Sequence, residues 1–226
     1  MKLIDDELLE KSSVVANCCM NRERGLSGTN GYDKEMRIDP LDLLRTCESS
    51  HENVKWLDLC CGTGKALIEA ATILESENSA VGIVGVDLAG LFLPSKSERL
   101  QLIQASLTDW QPKGTFDLIT CVHGLHYIGD KLDLLSRARS WLKPHGKFAA
   151  NLDLNNLKLN GVDSQRPRVA ALRKAGFKYS SRHKLVECEG KQEDCFPLEY
   201  LGADDQAGAN YTGQSAVDSY CQKIDS

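Results

Sequence analysis

Three groups of side chains in this 226-residue sequence have the types and spacing to do chemistry. The first is Leu57-Asp58-Leu59-Cys60-Cys61-Gly62-Thr63-Gly64, where an acid lies in an apolar run and two glycines lead into a segment of helical period. A tight strand-to-helix turn needs residues without a Cβ wherever φ is positive or a ligand approaches the backbone. The helix beyond it presents unpaired N–H groups and the positive end of its dipole. Such a turn cradles a nucleotide-like cofactor, but two common cradles do not fit. A P-loop would place glycine at Leu59 and Ser or Thr at Ala66, and a dinucleotide fingerprint would place its third glycine at Leu67. The second group is His123 and His126. A neutral imidazole takes up a proton near neutral pH, so His123 is read either as a general base or as a hydrogen-bonded residue of a pocket wall. His126 is read as helix packing and His145 as a surface-turn residue, while His51 and His183 have no supporting neighbours in sequence. The third group, Arg22, Arg24 and Tyr32, lies in a polar stretch, 21–33, with three glycines, which reads as a lid or as a solvated loop.

The elements that must position these residues alternate between strands and helices, the pattern of a parallel α/β sheet. Strands are expected over 54–59, 80–88, 100–105, 116–122 and 147–154, and the second is so apolar that both its faces should be buried. Helices are expected over 65–74, 130–142 and 167–175, the last with Pro167 at its start and Gly176 just beyond its end. Two further strand-like runs, 177–188 and 195–201, are expected to pair as an antiparallel hairpin through Glu189–Glu193, a link too short for a helical crossover. The expected result is one sheet with helices on both faces. Before it, Leu3 to Ala16 is expected to form one amphipathic helix and Pro40 to Cys47 another. Asn151 and Asp153 either point into the cleft or simply alternate across the sheet, and Trp56 and Trp141 belong to the core. Tyr211 and Asp204–Asp205 fall in a tail read as solvated, with closure of a pocket as the alternative.

Charge and composition narrow the partners. With 27 basic and 32 acidic side chains the formal charge is −5, so the basic footprint of a nucleic-acid binder is missing. No apolar run approaches a bilayer span, and the acidic first ten residues lack the features of a secretory signal. The expected location is the cytoplasm. The nine cysteines form no C-x-x-C and no zinc spacing with histidine, so they are read as reduced thiols and no metal site is expected.

In combination these motifs resemble the class I S-adenosylmethionine (SAM)-dependent methyltransferases over about residues 53–201. The family's first motif, (V/L)-L-D-x-G-x-G-x-G, is similar to Asp58 through Gly64, with Cys60 in place of its first glycine, which the turn should accept only if φ stays negative there. Its second motif, an acid ending strand two, corresponds to Asp87, followed by Leu88. That position is 23 residues beyond Gly64, near the interval that brings a carboxylate to ribose hydroxyls. Where the family carries an adenine-side acid after strand three, this sequence has Ser106-Leu107, so the base contact is expected to rest more on backbone. Residues 116–126, with Cys121, resemble strand four and its turn, and 141–148 the entry to strand five.

The resemblance implies a Rossmann-like, doubly wound α/β sheet of seven strands in the order 3-2-1-4-5-7-6, with strand seven antiparallel and an N-terminal helical lid. It divides the chain into a cap over 1–50 and a SAM-binding domain over 51–226. It implies cofactor contacts at Arg24, Asp58, Cys60, Gly62, Gly64, Asp87, Leu88, Ser106, Leu107 and Cys121. Arg24 would pair with the cofactor's carboxylate, Tyr32 would cap its methionyl part, and Tyr32 and His123 are the catalytic candidates. The function implied is N-, O- or C-methylation of a small-molecule acceptor, with neither nucleic acid nor membrane as partner. Two alternatives keep the cofactor: cyclisation or aminocarboxypropyl transfer releasing methylthioadenosine, and a non-catalytic SAM-binding regulatory module. An NAD-dependent dehydrogenase is disfavoured by Leu67 and Asp58.

Overall fold

The computed structural model describes residues 2–16, 23–160, 164–193 and 196–224. Arg22, Cys18, Cys19 and Cys195 lie outside them. In chain order the strands are β1 (Lys55–Leu59), β2 (Gly82–Asp87), β3 (Leu100–Gln104), β4 (Phe116–Cys121), β5 (Leu142–Asn151), β6 (Leu157–Leu159), β7 (Lys178–Ser180), β8 (Leu185–Glu189), β9 (Leu198–Asp204) and β10 (Asp218–Lys223). The helices are α1 (Asp6–Glu10), α2 (Ser13–Ala16), α3 (Tyr32–Met36), α4 (Pro40–Glu48), α5 (Lys65–Ser76), α6 (Lys131–Ser140) and α7 (Arg166–Lys174).

Seven strands form the main sheet in the order β3-β2-β1-β4-β5-β8-β7. The first five are parallel, β8 runs antiparallel to β5, and β7 antiparallel to β8. Allowing for the extra short strand β6, this is the order and the antiparallel strand that the resemblance implies. The central strand β4 is buried at every position, as a strand covered on both faces must be. Neighbouring side chains of β1 go to opposite cores. Trp56 joins Tyr32, Met36, Leu41, Leu44, Leu67 and Leu74 on the α3/α4/α5 face, while Leu57 and Leu59 join Leu135, Trp141 and Leu172 on the α6/α7 face. The small Ala66, Ala70 and Ala71 let α5 settle closely on the sheet. Gly85 completes that fit, because a Cβ there would stand 2.5 Å from Leu67 Cδ1.

Four expectations are corrected. The run 177–188 is itself a hairpin, turning at 181–184 with Lys184 at φ 51. The run 195–201 leaves the main sheet, so the expected pairing between the two runs does not form. Instead β9 pairs antiparallel with β10, and β10 pairs parallel with β6, making a second sheet where a single one was expected. The tail read as solvated therefore carries a strand. The first sixteen residues form two short helices rather than one, and Ile4 adds a bridge to Ala203 on β9. Leu9, Val15, Ala203 and Val217 bury one another, so the N-terminal helices and the C-terminal sheet pack together. No helix follows β2 or β3, which leaves the cleft at that end to be covered by this assembly.

The assembly is fastened by a buried lysine. Lys131 Nζ donates to the carbonyls of Ile128 at 2.7 Å and Val217 at 2.8 Å and to Ser219 Oγ at 2.9 Å, tying the start of α6 to β10. Burial, only partly offset by surrounding acids such as Asp218, pushes its pKa down to about 7.

Candidate active site

The C-terminal ends of β1, β2 and β4 carry the chemistry-bearing residues, where ligands bind in open α/β sheets. After β1 the chain turns with Gly62 at φ 60 and Gly64 at φ 74, and Gly64 is the N-cap of α5. Cys60, expected to keep a negative φ, is left-handed at φ 57. That conformation costs a residue with a side chain about 1–2 kcal/mol, and the surroundings hold it. The next amide, Cys61 N–H, donates to the Val86 carbonyl at 3.0 Å, and the turn closes by Gly64 N–H donating to the Cys61 carbonyl at 3.1 Å. Room for the Cys60 side chain comes from Gly124 across the cleft, where a Cβ would lie 2.4 Å from Cys60 Cβ.

Asp87 braces this turn. Its Oδ2 accepts from Gly62 N–H at 3.0 Å and its Oδ1 from Ala89 N–H at 2.9 Å. Beside it lies a cavity of about 240 Å³ lined by Cys60, Asp87, Leu88, Ala89, Ala105 and Leu107 from the sheet and by Glu10, Val15 and Ala16 from the N-terminal helices. Its walls are largely apolar with a carboxylate at the rim, which suits a nucleoside: a flat base against aliphatic side chains and sugar hydroxyls at an acceptor. Ser106, between the lining residues Ala105 and Leu107, does not itself line this cavity. Its hydroxyl donates to Glu10 Oε1 at 2.5 Å, and Thr108 Oγ1 donates to the same oxygen at 3.2 Å.

Asp58 is fully buried beneath the turn. Tyr32 OH donates to its Oδ2 at 2.7 Å, and Thr120 Oγ1, itself accepting from Trp56 Nε1 at 2.8 Å, donates to its Oδ1. Burial raises the Asp58 pKa to about 7 against these hydrogen bonds. Tyr32, expected in a lid above the cofactor, is instead a buried residue at the start of α3, edge-on to Trp56 and committed to Asp58. Cys121 is buried at the end of β4 and, like Cys47, Cys61, Cys188 and Cys221, is a free thiol.

A second cluster lies past β4. His123 adopts φ 58, a second non-glycine residue in the left-handed region at this end of the sheet, and its N–H donates to Asn151 Oδ1 at 3.1 Å. Its Nε2 is 3.0 Å from Glu35 Oε2. Its Nδ1 faces His126 Nε2 at 3.4 Å and Tyr211 OH at 3.5 Å. Arg24 donates to Glu35 Oε1 at 3.2 Å and to the Asn30 carbonyl at 3.1 Å, so its guanidinium meets a carboxylate of this chain rather than standing free for the cofactor's. The hydrogen bond from His123, helped by Arg24, outweighs burial and holds the Glu35 carboxyl below its ordinary value. Burial, then the charges of His123, Lys131 and Arg24, push His126 down to about 3, so it stays neutral.

Two readings of single residues are corrected here. Tyr211, taken for solvated tail, packs on both imidazoles, with ring centroids 6.0 Å from His123 and 5.5 Å from His126. His51, read as having no supporting neighbours, stacks on the surface-turn residue His145 with ring centroids 3.8 Å apart, and His145 Nε2 lies 2.9 Å from Asp117 Oδ1 at the opposite end of β4. Sequence reasoning missed Glu35, Glu10 and the place of Tyr211. None sits in a recognisable motif, and only the tertiary fold brings them to the cleft. The short turn Gly124–Tyr127 joins the two clusters, with His126 toward the imidazole side and Tyr127 lining the cavity.

Comparison with known proteins places the chain in a family. The family described as a methyltransferase domain matches residues 32–188. The chain belongs to this family, among the class I SAM-dependent methyltransferases, and its cofactor is S-adenosylmethionine. Trans-aconitate 2-methyltransferase of Escherichia coli is 29% identical over 111 residues, 47% of this chain and 42% of that protein. Demethylmenaquinone methyltransferase of Lactiplantibacillus plantarum is 30% identical over 153 residues, 59% of this chain and 63% of that protein. The chain thus spans about half the length of the curated relatives it matches. Among solved structures, the N-methyltransferase NodS from Bradyrhizobium japonicum, in complex with S-adenosylhomocysteine, has a TM-score of 0.47 at 14% identity, covering 83% of this chain and 98% of that one. No described helix is long and apolar enough to cross a membrane.

Proposed function

We propose that this chain transfers the methyl group of S-adenosylmethionine to a hydroxyl or amine of a small-molecule acceptor, and that His123 takes up the proton the acceptor loses. The glycine turn at 62–64 would hold the methionyl end, Asp87 the ribose, and Leu88, Ala89, Ala105 and Leu107 the base. When bound, the cofactor supplies an electrophilic methyl on its sulfonium.

The observation that carries the reading is the Glu35–His123 pair just past the end of β4, 3.0 Å between Oε2 and Nε2. An ionised Glu35 3.0 Å from Nε2 would favour the tautomer with its proton on Nε2, so that the neutral ring presents the lone pair of Nδ1 toward Tyr211 and His126. An acceptor entering there would yield its proton to Nδ1, and the imidazolium so formed would be stabilised by the Glu35 carboxylate. Arg24 holds that carboxylate in place, Asn151 fixes the His123 backbone, and Tyr211 and the C-terminal sheet would keep water out. Tyr32 acts on Asp58 beneath the turn and not on the acceptor. The acceptors named for the curated relatives, trans-aconitate and demethylmenaquinone, are small molecules, which accords with an acidic chain as the catalyst.

The test is mass spectrometry of the protein incubated with S-adenosylmethionine, alone and with a panel of small hydroxyl- and amine-bearing acceptors. Formation of S-adenosylhomocysteine with a methylated product is expected. Methylthioadenosine without an acceptor would assign the site to self-cleavage, and tight binding with no consumption would make the chain a sensor.

A further inference from the structure

The cavity wall formed by the N-terminal helices contains a carboxylate that the proposed reaction does not use. Glu10 ends α1, is half-buried and lines the cavity with Leu107 and Ala105. Its Oε1 accepts from Ser106 Oγ at 2.5 Å and Thr108 Oγ1 at 3.2 Å, and among the described residues no hydrogen bond engages its Oε2. Two hydroxyls donating to one oxygen orient the group and leave the other oxygen as an acceptor.

We propose that Glu10 reads the purine of the cofactor, its Oε2 accepting from the exocyclic 6-amino group, so that the carboxylate missing from the end of β3 is delivered by the N-terminal helix. The inference rests on the reading that this cavity takes the adenosine. Ser106 then serves to hold Glu10 rather than to touch the base, and the base contact does not rest on backbone as the sequence suggested. A carboxylate beside position 6 accepts from an amine and opposes a carbonyl, so the site selects adenine over hypoxanthine. Because α1 is fixed to the C-terminal sheet through the Ile4–Ala203 bridge and a hydrogen bond from Tyr200 OH to Asp6 Oδ1 at 2.8 Å, the base contacts the cap as well as the sheet.

Calorimetric binding of S-adenosylhomocysteine and S-inosylhomocysteine tests this without turnover. The unmodified protein should prefer the adenosyl compound by about tenfold or more, since a site built to pair an N–H rejects the analogue lacking it. Glu10→Gln keeps an oxygen for Ser106 and Thr108 and offers an N–H to the 6-carbonyl, so the preference should vanish or invert. Adding Ser106→Asp to that variant returns an acid to the end of β3 and should restore the adenosyl preference. An unchanged ratio in Glu10→Gln, with the protein still binding S-adenosylhomocysteine, overturns the role of Glu10 and leaves the cofactor site standing. Failure of the unmodified protein to bind either compound overturns the cofactor placement itself.

Discussion

Two carboxyl groups, one under each half of the cleft, have been driven in opposite directions. Asp58, below the glycine turn, receives hydroxyl donors only, and burial lifts it to about 7. Glu35, across the cleft, is also partly buried but faces His123 and Arg24, which hold it below its ordinary value. Burial alone therefore does not decide the charge of an acid; the donors aimed at it do. The half beside the glycine turn is a largely apolar cradle built mostly from residues at strand ends. The imidazole half is a polar relay whose members come from α3, the turn after β4 and the loop before β10.

The sharpest way to separate the halves is His123→Ala. Loss of a positioned base should lower turnover by about 10²–10⁴-fold while S-adenosylhomocysteine affinity, read by calorimetry, stays within a few-fold. Glu35→Gln should show a smaller loss and a shifted pH profile, because the imidazolium would lose its carboxylate partner. Equal turnover in His123→Ala would remove the relay from the chemistry. Asp87→Ala should do the reverse, weakening S-adenosylhomocysteine binding by more than about tenfold, since both the ribose acceptor and the brace on Gly62 and Ala89 go with it. An unchanged affinity would dissociate Asp87 from the sugar.

The smallest effect concerns Asp58. Its folded pKa lies above its unfolded value of 3.8, so the native state binds more protons and the stability due to this group falls as pH rises from about 4 to about 7. Asp58→Asn lacks that slope. Urea unfolding should therefore show the variant gaining on the unmodified protein by about 1.4 kcal/mol per pH unit between pH 5 and 6. A gap that does not move would mean the carboxylate is already ionised in the folded protein, and the contrast with Glu35 would disappear.

The sheet was legible from the sequence wherever local chemistry was decisive. The glycines at 62 and 64, the apolar run ending at Asp87 and the Pro167–Gly176 bracket around α7 each announce their element. The C-terminal region was not legible. The turn at 181–184 contains neither Gly nor Pro, and β10 buries Asp218 and Ser219, polar residues that no hydrophobic pattern assigns to an interior. Those two are satisfied by Asn156 and by the Lys131 and Gly129 groups, partners that exist only after folding. The same limit hid Glu35, Glu10 and Tyr211. Each acquires its role from a residue far along the chain, and side chains joined that way leave no periodicity to find.

The side chain at the bend after β1 also changes what the cleft presents to an occupant. Of the thiols at this end of the sheet, Cys61 and Cys121 are sealed in the core, whereas Cys60 borders the cavity because Gly124 stands back from it. The bend thus offers a sulfur-bearing side chain, not bare backbone, to whatever fills the chamber, and the outline of an occupant is drawn partly by it.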